Sequence, residues 1–264
     1  LADVTMRYDT NTEPTVASIT ASQDSTGTVN VSYTISDNED STATTTLLYD
    51  LGVTVEDNPL ATTSTTINVN DPNSVLSLMT STTTYTLQIE KEQINCSNKS
   101  TSSFSGCTRG VNNTAFYQIS HDQSSVVWLK ANHASGAVAS TSMSSATSTK
   151  SADWEAKQDI DGIYSTTTKV RINANDRNAA WQVGYDDSAA YELDTKKPTS
   201  SVASLNEWQA TTSWGVSWSG GDVGVGIDTY DLQYKKNTGD WADCVTGTTT
   251  TGITFPGDCN TATS

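Results

Sequence analysis

Four cysteines, in two local pairs, are the most reactive side chains in this 264-residue sequence. Cys96 and Cys107 bracket SNKSTSSFSG, and Cys244 and Cys259 bracket a Thr-rich run. Four cysteines allow three connectivities. The local one, Cys96–Cys107 with Cys244–Cys259, is expected because each pair closes a short loop. A zinc site would need C-x2-C spacing or paired histidines, and the sequence has neither. Disulfides belong to an oxidising compartment.

Carboxylates come next. SDNEDS (36–41) sets Asp37, Asn38, Glu39 and Asp40 in a loop after a strand. Calcium takes about six to eight hard oxygens, and such a run can give several. Asp176 lies in a second oxygen-rich turn, NANDRN, and Asp194 lies at a domain junction. The EF-hand spacing is absent, and solvated acidic turns are the competing reading. Calcium is the one cofactor these residues bring into question. The sequons at Asn30, Asn95, Asn98 and Asn112 are candidates for N-glycosylation.

Catalytic patterns are weak. His121 and His133 are the only histidines. His121-Asp122 beside many serines resembles part of a triad, but no G-x-S-x-G elbow exists. The glycines at 220, 221, 224 and 226 lie between two strands, with no Gly-Lys-Ser/Thr after them, and read as a turn rather than a phosphate loop. No enzymatic activity is expected. Seven tryptophans raise the question of a sugar platform. Trp214 and Trp218 lie four apart on one strand face, with Trp218 expected in a core. Trp208 and Trp241 are expected to be exposed and are the candidates for sugar stacking.

Thirty acidic against fourteen basic residues give a net charge of −16 and a pI near 4.2. That argues against nucleic acid, which needs a basic face, and against anionic membrane surfaces. No apolar stretch is long enough for a spanning helix. Only 34% of residues are hydrophobic and 79 are Ser or Thr, so any core is thin.

Those residues must be held by strands. TVNVSYTISD (28–37) alternates Val29, Val31, Tyr33 and Ile35. TTTLLYDLGVTV (44–55) follows, with a turn expected near Asp50-Leu51-Gly52. TTINVND (65–71), TYTLQIEKEQI (84–94), VVWLKANH (126–133) and KVRINAND (169–176) read as further strands, and AAYELDT (189–195) as a closing one. Residues 95–115 read as an exposed loop, and 134–151 as loop or weak edge. After Pro198, alternation returns in TSWGVSWSGGD (212–222), GIDTYDLQYKKNTGDW (226–241) and TTGITFPGD (250–258). Short strands between frequent turns indicate a sandwich or barrel.

VSWSGGDVGVGIDTYDLQYKKNTGDW carries Trp218-Ser219-Gly220, Gly226-Ile227, Tyr230, Gln233-Tyr234 and Trp241. It resembles strands B and C of fibronectin type III-like modules from bacterial and archaeal surface proteins. VNVSYTISDNEDSTATTTLLYDLG, with KVRINAND and AAYELDTKKP, is similar to an Ig-like domain of such proteins. The resemblance covers 199–258 well and 15–60 with 150–198 moderately. It implies tandem all-β Ig-like sandwiches, the first (14–198) with an insertion at about 61–149, the second (199–264) lacking its last strands. It also implies an extracellular or cell-surface location.

MRYDTNTEPT (6–15) and AYELDTKKPT (190–199) share one pattern: an alternating run ending Asp-Thr, polar residues, then Pro-Thr. The second copy reads as a last strand and linker, so residues 1–13 read as the last strand and linker of a preceding domain. The expectation is an excerpt of a longer array, cut inside domains at both ends. The other reading is that Val4, Met6 and Tyr8 form a strand donated to the open sandwich of another copy. The function expected is a structural or assembly module of a surface layer, sheath or pilus-like filament. Its partners would be copies of itself or neighbouring domains. The alternative is a carbohydrate-binding or adhesive accessory module of a secreted enzyme.

Overall fold

A computed structural model describes residues 12–112, 114–176, 183–224 and 226–259. The chain is all-β and divides into two compact units, at Thr195/Lys196. Val4, Met6 and Tyr8 lie outside the described residues.

The first unit runs through β1 (Thr15–Gln23), β2 (Val29–Ser36), β3 (Thr42–Asp50), β4 (Thr54–Val55) and β5 (Thr66–Asn70). β6 (Tyr85–Ile89), β7 (Glu92–Lys99), β8 (Ser103–Thr108), β9 (Val127–Lys130) and β10 (Ala134–Gly136) follow. The unit ends with β11 (Ala139–Ser142), β12 (Ser148–Trp154), β13 (Tyr164–Asn175), β14 (Val183–Asp187) and β15 (Tyr191–Asp194). One sheet has the order β1-β2-β12-β10. The larger has the order β14-β13-β3-β9-β6-β7-β8-β5-β4, with β11 also on β3 and β15 also on β13.

Alternation explains how the sheets face each other. Val29, Val31, Tyr33 and Ile35 on β2 all point into one core, as do Leu47 and Tyr49 on β3 and Ile172 on β13. Tyr49 of the large sheet stacks on Trp154 of the small one, with ring centroids 4.6 Å apart and planes 20° apart. The pair is one of many contacts that join the two layers across a shared core. An aromatic stack of this kind contributes about 0.5–1.5 kcal/mol beyond the area it buries.

Three sequence expectations need correction. Residues 84–94 fold as two strands, not one: β6 turns at Glu90-Lys91 into β7, pairing Ile89 with Glu92. Glu90 adopts φ 53, a conformation that a glycine or asparagine usually signals. Residues 95–115 are not simply a loop. β7 and β8 form a hairpin that buries Phe104 and sets Cys96 directly opposite Cys107. Residues 134–151 are more than loop or weak edge: β10 is a three-residue edge strand and β11 pairs only with β3 among the described residues, but the stretch also enters an inner strand. β12 lies inside its sheet, between β2 and β10, and buries Ala152 and Trp154. Its small residues pack without the large apolar side chains that make periodicity visible.

The exit of this unit is clasped. The Gln23 side-chain amide donates to Asp194 O at 2.9 Å, and its oxygen accepts Asp194 N at 2.7 Å. Thr195 is buried, and its hydroxyl oxygen accepts the backbone N–H groups of Gly162 and Ile163.

The second unit has β16 (Thr199–Val202), β17 (Trp214–Gly221), β18 (Tyr230–Lys235), β19 (Trp241–Thr248) and β20 (Gly252–Phe255). They form a β16-β17-β20 sheet and a β18–β19 ribbon. Its core is small: Val216, Trp218, Cys244 and Val245 are buried, with Trp214, Tyr230, Leu232 and Phe255 packed against them. Trp218 points inward from β17, as the alternation there predicts.

Candidate functional site

In the first unit, a group of polar side chains is buried beside the large sheet. Glu92, at the start of β7, is fully enclosed. Arg109 donates to it from Nε at 2.7 Å and from Nη2 at 2.5 Å, and Gly110 N donates at 3.0 Å. His121 Nε2 lies 2.6 Å from Glu92 Oε2. A carboxylate only accepts, so Nε2 carries the proton there. Burial works to raise the Glu92 pKa. The hydrogen bonds and charges of His121 and Arg109 outweigh it and hold the carboxyl below its ordinary value. Arg109 also donates to Ala61 O and Ile119 O, so the cluster pins two long connections to the hairpin. His121 Nδ1 is buried without a hydrogen-bond partner, 3.4 Å from Glu90 Oε2.

A chain of amides runs alongside. Asn173 donates to Gln88 Oε1, Asn112 donates to Gln93 Oε1 at 2.8 Å, and Asn175 donates to Asn112 O at 3.0 Å. Next to it Arg171 forks onto Asp187 at 2.6 and 2.9 Å, between the rings of Trp128 and Tyr185. His133 Nδ1 meets Asp159 Oδ1 at 2.8 Å, and Trp154 Nε1 donates to Asp159 Oδ2 at 2.7 Å. This is the orienting half of a histidine base, yet among the described residues no hydroxyl is bonded to the other ring nitrogen of His133. His121 is likewise committed to Glu92, and its sequence neighbour Asp122 is exposed.

The second unit carries an apolar groove of about 570 Å³. Val202, Trp214, Leu232, Tyr234, Trp241 and Phe255 line it, with Lys235 and Lys236 at the same place. Phe255 lies 5.0 Å from Trp214 and 5.2 Å from Tyr234, ring to ring. Trp241 is 64% exposed and Val202 53%. Among the described residues β18 pairs only with β19, so its other edge has free backbone groups beside the groove.

Comparison with family models, with curated proteins and with solved structures finds no match to this chain. The site must therefore be read from its own geometry.

The sequence-derived residues fall as follows. Cys96 bonds Cys107 and Cys244 bonds Cys259. Asp37 is buried; its Oδ1 accepts the N–H groups of Glu39 and Asp40, as an acidic turn does, and its Oδ2 has no hydrogen-bond partner. Asn38 is exposed within that turn, Asp176 follows β13, and Asp194 ends β15. Among the described residues no three His, Cys, Asp or Glu side chains are disposed to hold a metal ion. Asn30 and Asn98 are exposed on strands, and Asn95 is half-buried, accepting from Thr86. Asn112 Nδ2, the atom that a glycan would modify, donates to Gln93 Oε1. Trp208 is 83% exposed in the connection before β17, whereas Trp241 lines the groove, so the two do not share one platform.

The Glu92 cluster went unseen in the sequence. Its partners are 17 and 29 positions away, and no local motif joins them.

Proposed function

We propose that this chain is a structural module of an extracellular assembly, joined to its neighbours by strand complementation. The observation that carries the reading is the aromatic groove beside the unpaired edge of β18. Residues 2–9, ADVTMRYD, alternate Val4, Met6 and Tyr8 on one face. A strand of that pattern suits an edge whose groove takes every second side chain. Its alternate positions carry Asp3, Arg7 and Asp9, a net charge of −1 that is opposite in sign to Lys235 and Lys236. The occupant proposed is residues 2–9 of a second copy. The Ig-like and fibronectin type III-like resemblance supports this reading, as do two disulfides, which persist in oxidising surroundings. Among the described residues no helix is long and apolar enough to cross a membrane.

Trp241 and Tyr234 at the groove also favour a second reading, in which the aromatic faces stack on a neutral oligosaccharide. The test is removal of residues 1–9. Native mass spectrometry should show loss of assembly while circular dichroism shows an intact first unit. A synthetic peptide of residues 2–9 should compete with assembly and change Trp241 fluorescence. Unchanged assembly after the deletion would sink strand complementation. Fluorescence changes with a neutral oligosaccharide but not with the peptide would establish the second reading instead.

A further inference from the structure

β9 and β11 both pair with β3, but at different places: β9 at Leu48 and Tyr49, β11 at residues 42–45. Between them the chain leaves for the other sheet as β10. That departure opens a cleft of about 540 Å³ over Thr44–Leu47.

Its lining is unlike the rest of the surface. The chain has 30 acidic residues and a net charge of −16, yet among the described residues no Asp or Glu lines this cleft. Lys130 is the only charged side chain there, and it has no hydrogen-bond or ion-pair partner among the described residues. Around it stand the amides of Gln93, Asn112 and Asn175 and the hydroxyls of Thr44 and Thr46. Gln93 and Asn175 are nearly fully buried, and the bonds Asn112–Gln93 and Asn175–Asn112 fix the amides in place. Among the described residues no aromatic ring lines the cleft.

We infer that the cleft binds a carboxylated sugar unit. A single unpaired ammonium matches one carboxylate. Amides and hydroxyls both donate and accept, as ring hydroxyls do. A volume in the range of about 300–1,000 Å³ is that of a small-molecule site. The interlocked amides are already ordered, so binding need not order them again. A neutral sugar would leave Lys130 unpaired. Among the described residues a multiply charged phosphate would find one cation where it needs several, and a calcium ion would find no carboxylate. This site is separate from the aromatic groove and does not depend on the assembly reading.

The experiment is a titration of the full chain with D-glucuronate, D-galacturonate and D-glucose, followed by calorimetry and by amide shifts in the NMR spectrum. One of the two uronates should bind, more weakly as salt rises, and shift Gln93, Asn112 and Asn175. Lys130→Met should weaken that binding about tenfold or more, while Lys130→Arg should retain most of it. Both variants should melt with the wild type, since Lys130 has no partner to lose. The inference is overturned if neither uronate binds, if glucose binds as tightly as the better uronate, or if Lys130→Met leaves the affinity unchanged.

Discussion

Arg109 lies with both its Nε and Nη2 on the Glu92 carboxylate, at 2.7 and 2.5 Å, and both side chains are hidden from solvent. Breaking such a pair from one side leaves an uncompensated buried charge. Arg109→Met is expected to cost the first unit about 3–5 kcal/mol. Replacing both partners, as Glu92→Gln with Arg109→Met, should recover part of that. Urea unfolding of the three proteins measures it. A single substitution costing less than about 1 kcal/mol would mean that water reaches Glu92.

The same carboxyl sets an acid limit. Its folded-state pKa is held below the ordinary glutamate value, so the unfolded chain binds the proton more tightly. The stability that Glu92 contributes is therefore fully present above the ordinary value of 4.5. It is lost as pH falls below that value, through the lower folded-state one. Melting curves between neutral pH and pH 3 should show the first unit losing stability on this limb. Glu92→Gln should flatten that limb; an unchanged slope would assign the acid sensitivity elsewhere.

Gly184 on β14 marks a close approach of two backbones. A Cβ built there would sit 1.8 Å from the Pro14 carbonyl oxygen. Gly184→Val must push the segment before β1 off the sheet, at about 1–3 kcal/mol. Gly215 on β17 is the control, because a Cβ there meets nothing within 4 Å. Gly215→Ala should be neutral or stabilising by up to about 1 kcal/mol. Equal effects on melting would show that β14 has room.

The second unit depends on its disulfide more than the first does. Four buried hydrophobic residues form its core, two of them Val216 and Trp218 and one a member of the Cys244–Cys259 pair. The bond closes a separation of 15 residues, a constraint of about 3 kcal/mol in the chain-entropy model. Replacing both cysteines by alanine should lower the melting of the second unit and leave the first in place. The Cys96–Cys107 pair lies inside a hairpin already paired across β7 and β8, so its removal should matter less. Calorimetry resolving two transitions separates the cases. A larger loss from Cys96 and Cys107 would reverse the argument.

The fold class was legible because strands with one buried face announce themselves. Val29, Val31, Tyr33 and Ile35 alternate in the sequence and point the same way in β2. Trp218 was legible for the same reason. β12 was not, because Ser148–Trp154 fills its sheet with small and polar side chains and only Ala152 and Trp154 reach the core. The β6–β7 turn was hidden by Glu90, a residue that seldom adopts φ 53. The Cys96–Cys107 and Cys244–Cys259 pairings were legible from spacing alone. The Glu92–Arg109–His121 cluster was not, since the β7–β8 hairpin and the connection that carries His121 had to be placed before its members could meet. The polar cleft has the same origin: it exists where two strands share a third, and no single segment carries it.

The clasp of Gln23 on Asp194 bears on how the first unit would behave under tension. A pull on the chain beyond Thr195 meets the β15–β13 ladder, the two Gln23 bonds and the Thr195 hydroxyl together. Bonds that must break at once raise the force needed, whereas bonds that break in turn do not. The end of the domain is thus riveted to its first hairpin, and Gln23→Ala should lower its unfolding force in single-molecule pulling without greatly changing its melting temperature. In the assembly proposed above, neighbours would pull on this exit, and resistance to peeling at the seam would govern how the unit yields.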